Sequence, residues 1–203
     1  MKRVLFVLCV LTLAVGCGSK SEKKNAEKLE MKETKAPYKV GDLYYEDDVI
    51  GIVFEVTHGG IHGKIVSLDE EKMRWCDSSV ADELFIYNEY DGGLNTENIM
   101  WQYNAEMFYA AQWCANYGDG WYLPAINELK SINKCTSAID NTLSKYGLET
   151  IGGRQNANVY FSSTEAREHT GVSSCVRVVC LGSNEEGSWS KTAEGYVRAV
   201  YKF

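Results

Sequence analysis

The sequence predicts an α+β fold with a mostly antiparallel sheet, on three observations. Segments with period-two apolar alternation stand at both ends of the globular part. Two to three segments with helical spacing lie between them, and glycine-rich breaks separate the two kinds. With 203 residues, 45% hydrophobic and 12% aromatic, the chain can bury one good core.

In chain order, Lys2 and Arg3 precede an apolar run over residues 4–15. A membrane-spanning helix needs roughly 20 apolar residues, so this run reads as an export signal. Gly16-Cys17 at its end resembles the bacterial lipobox, with Ala14 where that pattern usually has leucine. The resemblance implies a signal peptide over residues 1–16 and lipidation of Cys17. Acyl chains would then anchor the protein at about 0.8 kcal/mol per buried methylene. Residues 18–37 are charged and nearly free of large apolar side chains, so they cannot offset their ordering entropy and read as a flexible tether. The folded domain is expected over residues 38–203.

Ile50, Ile52, Phe54 and Val56 alternate with Gly51, Val53 and Glu55, giving a strand with one strongly apolar face. Residues 63–68 form a second strand, and 57–62 the hairpin between them. Residues 73–91 are harder to read, with strand-like pieces around Leu84-Phe85-Ile86-Tyr87. Asp91-Gly92-Gly93 breaks the chain, and 95–117 reads as one helix on the spacing of Met100, Met107, Ala111 and Cys114. A second helix covers 124–134, with Ile126, Leu129 and Ile132 inward. A third covers 137–146, capped by Ser137 and closed by Gly147. After a Gly/Asn-rich loop at 152–158, strands follow at 159–163, 174–181 and 195–203.

Three segments carry a resemblance to a known family: Gly120-Trp121-Tyr122-Leu123-Pro124 with Ile126-Asn127-Glu128-Leu129, Tyr160-Phe161-Ser162-Ser163-Thr164-Glu165, and Tyr196-Val197-Arg198-Ala199-Val200. In order and spacing they resemble the Lcl C-terminal domain family of bacterial envelope proteins. That family belongs to the C-type-lectin-like superfamily and is named after a collagen-like adhesin. The resemblance implies a C-type-lectin-like fold and a binding or adhesion role. Independently of it, Ala125 at an N-cap would place Glu128 at N3, able to reach back to the cap N–H. Ala125 lacks the hydroxyl that completes such a box, so Ala125→Thr is expected to stabilise by about 1 kcal/mol.

Formal charge is −7, and −9 once the two positive residues of the signal are removed. A nucleic-acid partner needs a basic surface and is excluded. Of the seven cysteines, Cys9 leaves with the signal and Cys17 is lipidated. The other five stand in an oxidising compartment, where two disulfides and one thiol are expected, with Cys76–Cys114 as the leading pair. Cys175 and Cys180 bracket a strand and would lie about 16 Å apart, too far for a bond. Their separation matches the copper-binding pair of formylglycine-generating enzymes, but the flanking residues do not. Neither proline, Pro37 or Pro124, has the carboxylate or amide neighbours of a calcium–sugar site. His58 and His62 flank two glycines, a loop in which helical spacing loses its meaning.

No catalytic constellation, metal site or cofactor is therefore expected. The aromatic residues proposed for ligand contact are Trp189, Tyr44 and Tyr45. The expected protein is a non-catalytic envelope lipoprotein, at the outer membrane or cell surface. Glycan or envelope or host protein ligands are its expected partners, with a structural subunit of a surface assembly as the first alternative and a copper-dependent formylglycine-generating-type enzyme as the second.

Overall fold

A computed structural model describes residues 36–151, 159–167, 174–183 and 185–203. The signal segment, Cys17, most of the charged tether and the 152–158 loop lie outside the described residues. In chain order the strands are β1 (Leu43–Glu46), β2 (Val49–Thr57), β3 (His62–Val66) and β4 (Glu71–Arg74). Four helices follow: α1 (Gly92–Met100), α2 (Tyr109–Tyr117), α3 (Ile126–Lys134) and α4 (Thr136–Lys145). The chain closes with β5 (Val159–Glu165), β6 (Cys175–Cys180), β7 (Glu186–Ser190), β8 (Glu194–Val197) and β9 (Val200–Lys202). The architecture is α+β. One antiparallel sheet has the order β1-β2-β3-β9, and a second has the order β4-β8-β5-β6-β7, mixed because β5 and β8 run parallel.

The first sheet is closed at its edge by aromatic rings. Tyr38 donates its backbone N–H to the carbonyl of Gly60 at 2.8 Å, and its ring lies 5.0 Å from Tyr44 and 5.3 Å from Phe203. Its hydroxyl donates to Glu46 at 2.6 Å. Gly60 has φ +92°, and a Cβ there would sit 2.3 Å from the Tyr38 carbonyl oxygen. Only glycine admits this approach.

Residues 195–203 do not form the single strand expected. The run divides into β8 in one sheet and β9 in the other, and the chain between β3 and β4 changes sheet opposite it. Arg198 sits in the break with 1% exposure. Its guanidinium donates to the carbonyls of Ser67 (2.7 Å) and Leu68 (3.0 Å) and to the Glu70 carboxylate (3.0 Å). The two crossings are also paired directly, Ser67 N–H to Ala199 O and Ala199 N–H to Ser67 Oγ. Turning this arginine inward interrupts the alternation the sequence displays.

Helices α3 and α4 match the expected apolar spacing, with Ile126, Leu129, Ile132, Ile139 and Leu143 all buried. Gly147, with φ +68°, ends α4, and the Leu148 N–H returns to the Leu143 carbonyl at 2.9 Å. The expected 95–117 helix is two helices. Asp91 caps α1 three residues early, accepting from the Leu94 N–H at 2.9 Å. Residues 101–107 then include no buried side chain, and the α-helix gives way to turns and a single 3-10 turn at Ala105–Met107 that carry the chain to α2.

At the start of α3, Glu128 accepts from the Ala125 N–H at 2.8 Å, the expected half of a capping box. The same carboxylate accepts from the Gly92 N–H of α1 (3.1 Å) and the Tyr122 hydroxyl (2.9 Å), and pairs with Lys64 (3.1 Å). One buried anion thus serves the positive ends of two helices. Burial, and then the Glu128 charge, raise the Tyr122 hydroxyl above its usual pKa. The missing cap oxygen comes from elsewhere, because Thr164 Oγ1 accepts the Ile126 N–H at 3.1 Å. Ala125 itself is completely buried. The structure therefore reverses the sequence-based expectation. Ala125→Thr should destabilise by about 1–3 kcal/mol through overpacking, read as a lower denaturant midpoint.

A candidate binding cleft held by a buried ion pair

The loop from Asp77 to Asp91 crosses the end of the second sheet without pairing as a strand, and two fully buried charges hold it. Glu165, the last residue of β5, pairs with Lys191 just beyond β7 at 2.5 Å, both side chains having no solvent exposure. The Glu165 carboxylate also accepts the backbone N–H groups of Leu84 (2.9 and 3.0 Å) and Ile86 (2.9 Å). The Lys191 ammonium donates to the carbonyls of Asp82 (2.7 Å) and Ala81 (3.3 Å) and lies 5.4 Å from the centre of the Trp75 ring. An anion bound by backbone N–H groups on either side of a left-handed residue is a nest.

That left-handed residue is Phe85, with φ +62° and 74% exposure. A bulky aromatic in this conformation costs on the order of 1–2 kcal/mol, and here its ring gains no burial in return. Phe85→Gly should raise stability by about 1 kcal/mol, measured by chemical denaturation, because the strain goes and no packing is lost.

Beside this segment lies an open cleft of about 250 Å³, lined by Tyr87 and Glu89 on one side, Arg167 and the end of β5 on another, and Arg177 and Ser188 opposite. Register places Arg177 of β6 across from Ser188 of β7. The Arg177 guanidinium pairs with Glu89 (2.6 Å) and Glu186 (3.5 Å). Lys130 and Arg177 hold the Glu186 carboxyl below its usual pKa, the hydrogen bond from Lys130 contributing most. The Arg167 guanidinium stacks 4.8 Å above the Tyr87 ring. Glu165 at the floor is committed to Lys191 and the loop backbone. The cleft is thus equipped to hold a polar ligand against aromatic and guanidinium planes.

The structure separates the sequence-predicted site residues. Trp189 of edge strand β7 is 41% exposed, its indole N–H donating to the Glu194 carbonyl at 3.3 Å. Tyr45 is half-buried. Tyr44 is corrected: it is 6% exposed, stacked on Phe203 at 4.6 Å, and belongs to the core. Burial and the neighbouring Glu46 push its pKa to about 12. The adjacent Leu43 and Tyr44 of β1 point to opposite faces and are both buried, so no period-two pattern marks this strand in the sequence. Cys17 lies outside the described residues.

The Cys76–Cys114 bond expected from the sequence is not formed. Both side chains are buried in one core and are free thiols, as are Cys135 and Cys180. Burial pushes Cys76 to about 11 and Cys114 well above its ordinary value, so neither is a thiolate at neutral pH. Cys175 and Cys180 close the two ends of β6. Ser162, Ser163 and Thr164 are buried and internally bonded: Ser162 Oγ donates to Arg177 O, Ser163 Oγ accepts from Asn95, and Thr164 Oγ1 donates to Asn88 O.

Sequence reasoning missed Phe85, Arg167, Arg177 and the Glu165–Lys191 pair. Nothing in a string of residues marks a buried lysine. The stretch from Leu84 to Tyr87 looks like strand because its alternation is apolar, not because a neighbour pairs with it. Among the described residues, no three His, Cys, Asp or Glu side chains converge as a metal-binding group, and no helix is long and apolar enough to cross a membrane.

No protein-family model matches the chain, and no curated protein matches it. A similar solved structure is that of a fimbrial protein from Bacteroides ovatus, 18% identical, with a TM-score of 0.57. The match covers 80% of this chain and 48% of that one, so the chain spans about half that protein's length. At this identity the likeness is one of fold.

Proposed function

We propose that the chain is an exported envelope lipoprotein, anchored through Cys17, whose globular body is a non-catalytic binding or adhesion module for glycan or protein ligands at the cell surface. The observation that carries this reading is Phe85, a strained aromatic held outward by a buried ion pair beside a polar cleft. A protein that spends stability to expose a rigid ring is built for contact. The internal commitment of the Ser162, Ser163 and Thr164 hydroxyls and the raised pKa values of the core thiols support a non-enzymatic role. The Lcl-like motifs support a C-type-lectin-like body. Likeness to a fimbrial protein favours a second reading, a structural subunit of a surface assembly, which stable co-purification with other envelope proteins would establish.

The anchor is tested by Cys17→Ser in the full chain. The variant should lose the acyl mass and leave the membrane fraction, as read by mass spectrometry and fractionation. A variant still membrane-bound and unaltered in mass would overturn the address. The binding role is tested with glycan arrays and matrix proteins, with Phe85→Ala and Trp189→Ala as probes. Ligands bound equally well by both variants would count against these contacts.

A further inference from the structure

From Trp75 to Leu129 the chain has nine carboxylates and no lysine, arginine or histidine, against 21 lysines and arginines, three histidines and 19 acidic residues in the rest. This stretch also carries Phe85, Tyr90, Leu94, Trp101, Tyr103 and Tyr109, six of the nine large apolar side chains exposed among the described residues. The two properties coincide on the outer face of α1. Asn95, Thr96 and Ile99 face inward and are buried. Asn95 Nδ2 donates to Ser163 Oγ, and Thr96 Oγ1 accepts from the Leu123 N–H. Leu94 and Trp101, two helical turns or about 10.5 Å apart, face outward with Glu97 and Asn98. Trp101 is 80% exposed, Tyr103 is fully exposed one residue beyond Gln102, and Glu106 is exposed on the next turn. Glu97 and Glu106 meet no basic side chain among the described residues.

We infer that this face docks a basic segment of a partner protein, its lysine and arginine side chains seated on the Trp101 and Tyr103 rings and neutralised by Glu97 and Glu106. The inference deepens the binding reading above and rests on it. Charge complementarity selects the occupant. An acidic partner or anionic glycan is repelled by a surface with no local cation, whereas a guanidinium or ammonium gains both the ring faces and the carboxylates. A neutral glycan would use the same rings but leave the carboxylates without a role.

The test titrates the full chain, in neutral detergent, with a lysine- and arginine-rich peptide free of aromatic residues, following tryptophan fluorescence and calorimetry. Saturable binding is expected, weakened about tenfold by the Trp101→Ala/Tyr103→Ala double variant and by raising salt from about 0.05 M to about 0.5 M. Glu97→Lys/Glu106→Lys should abolish it, and Ile61→Ala, an exposed apolar side chain outside this stretch, should leave it unchanged. Because these side chains are exposed, circular dichroism and melting midpoints should match the parent. Absence of saturable binding overturns the inference, as does binding indifferent to salt and to the double variant. A neutral oligosaccharide lost with the ring variant while the peptide never binds overturns it too, but leaves the binding-module reading standing.

Discussion

Lys191→Met should lower the unfolding free energy by about 3–5 kcal/mol, read from urea or guanidinium midpoints. The loss comes from what remains: a Glu165 carboxylate with no solvent and no counter-charge, and carbonyls at Ala81 and Asp82 without their ammonium donor. Glu165→Gln should cost a similar amount, because it takes the carboxylate away from the buried ammonium while the amide oxygen still serves the Leu84 and Ile86 N–H groups. The two together should cost less than their sum, because neither leaves an isolated charge behind. The effect should extend to function. With the ion pair broken, the Glu165 contacts to the Leu84 and Ile86 N–H groups hold Phe85 less firmly in its left-handed state, so binding through that ring should weaken even at temperatures where the protein stays folded. A Lys191→Met variant within about 1 kcal/mol of the parent would mean that the pair does not hold the loop.

Arg198→Met should be comparably severe, about 3–5 kcal/mol, because the Glu70 carboxylate loses the Arg198 guanidinium and two carbonyls at the sheet crossing lose their donor. Tyr160 would remain on Glu70, its hydroxyl donating at 2.5 Å, but that neutral bond does not replace a charge. The change has a local signature. Amides of Ser67 and Ala199, paired across the crossing, should lose hydrogen-exchange protection ahead of those in β2. Uniform loss of protection would mean that Arg198 does not hold the corner specifically.

What the sequence revealed follows from which interactions are local. α3 and α4 were legible because apolar spacing and the Gly147 terminator act within a few residues. β2 and β3 were legible because their apolar, β-branched runs pair locally through a short connection, although a register shift between Val53 and Glu55 breaks the alternation. The Glu128 contact to Ala125 was legible because it spans one helical turn. The helix break after Met100 was not legible, because Trp101, Tyr103 and Met107 carry apolar residues through 101–107 and only the fold leaves all of them unburied. The remaining features depend on distant partners. Thr164 serves Ile126, Glu165 serves Leu84 and Ile86, and Arg198 serves Ser67 and Leu68, each far away in the chain. Polar residues that would be assigned to the surface by composition were instead drawn into the interior by these pairings. Arg198, Glu165 and Glu128, one member of each buried cluster, stand in three separate sequence segments, and nothing local in those segments discloses their distant partners.

The clasp between Tyr38 and Gly60 fixes how the body would respond to being pulled. Tension arriving from the N-terminal side first meets one backbone hydrogen bond, an aromatic sandwich with the C-terminal Phe203 and the Tyr38–Glu46 bond. Only after these yield does it reach β1 and the strands behind it. A molecular spring gauge attached at the N-terminus should therefore record a small early rupture, well before global unfolding. Gly60→Ala, which a 2.3 Å approach forbids, should erase that first event while leaving the main one.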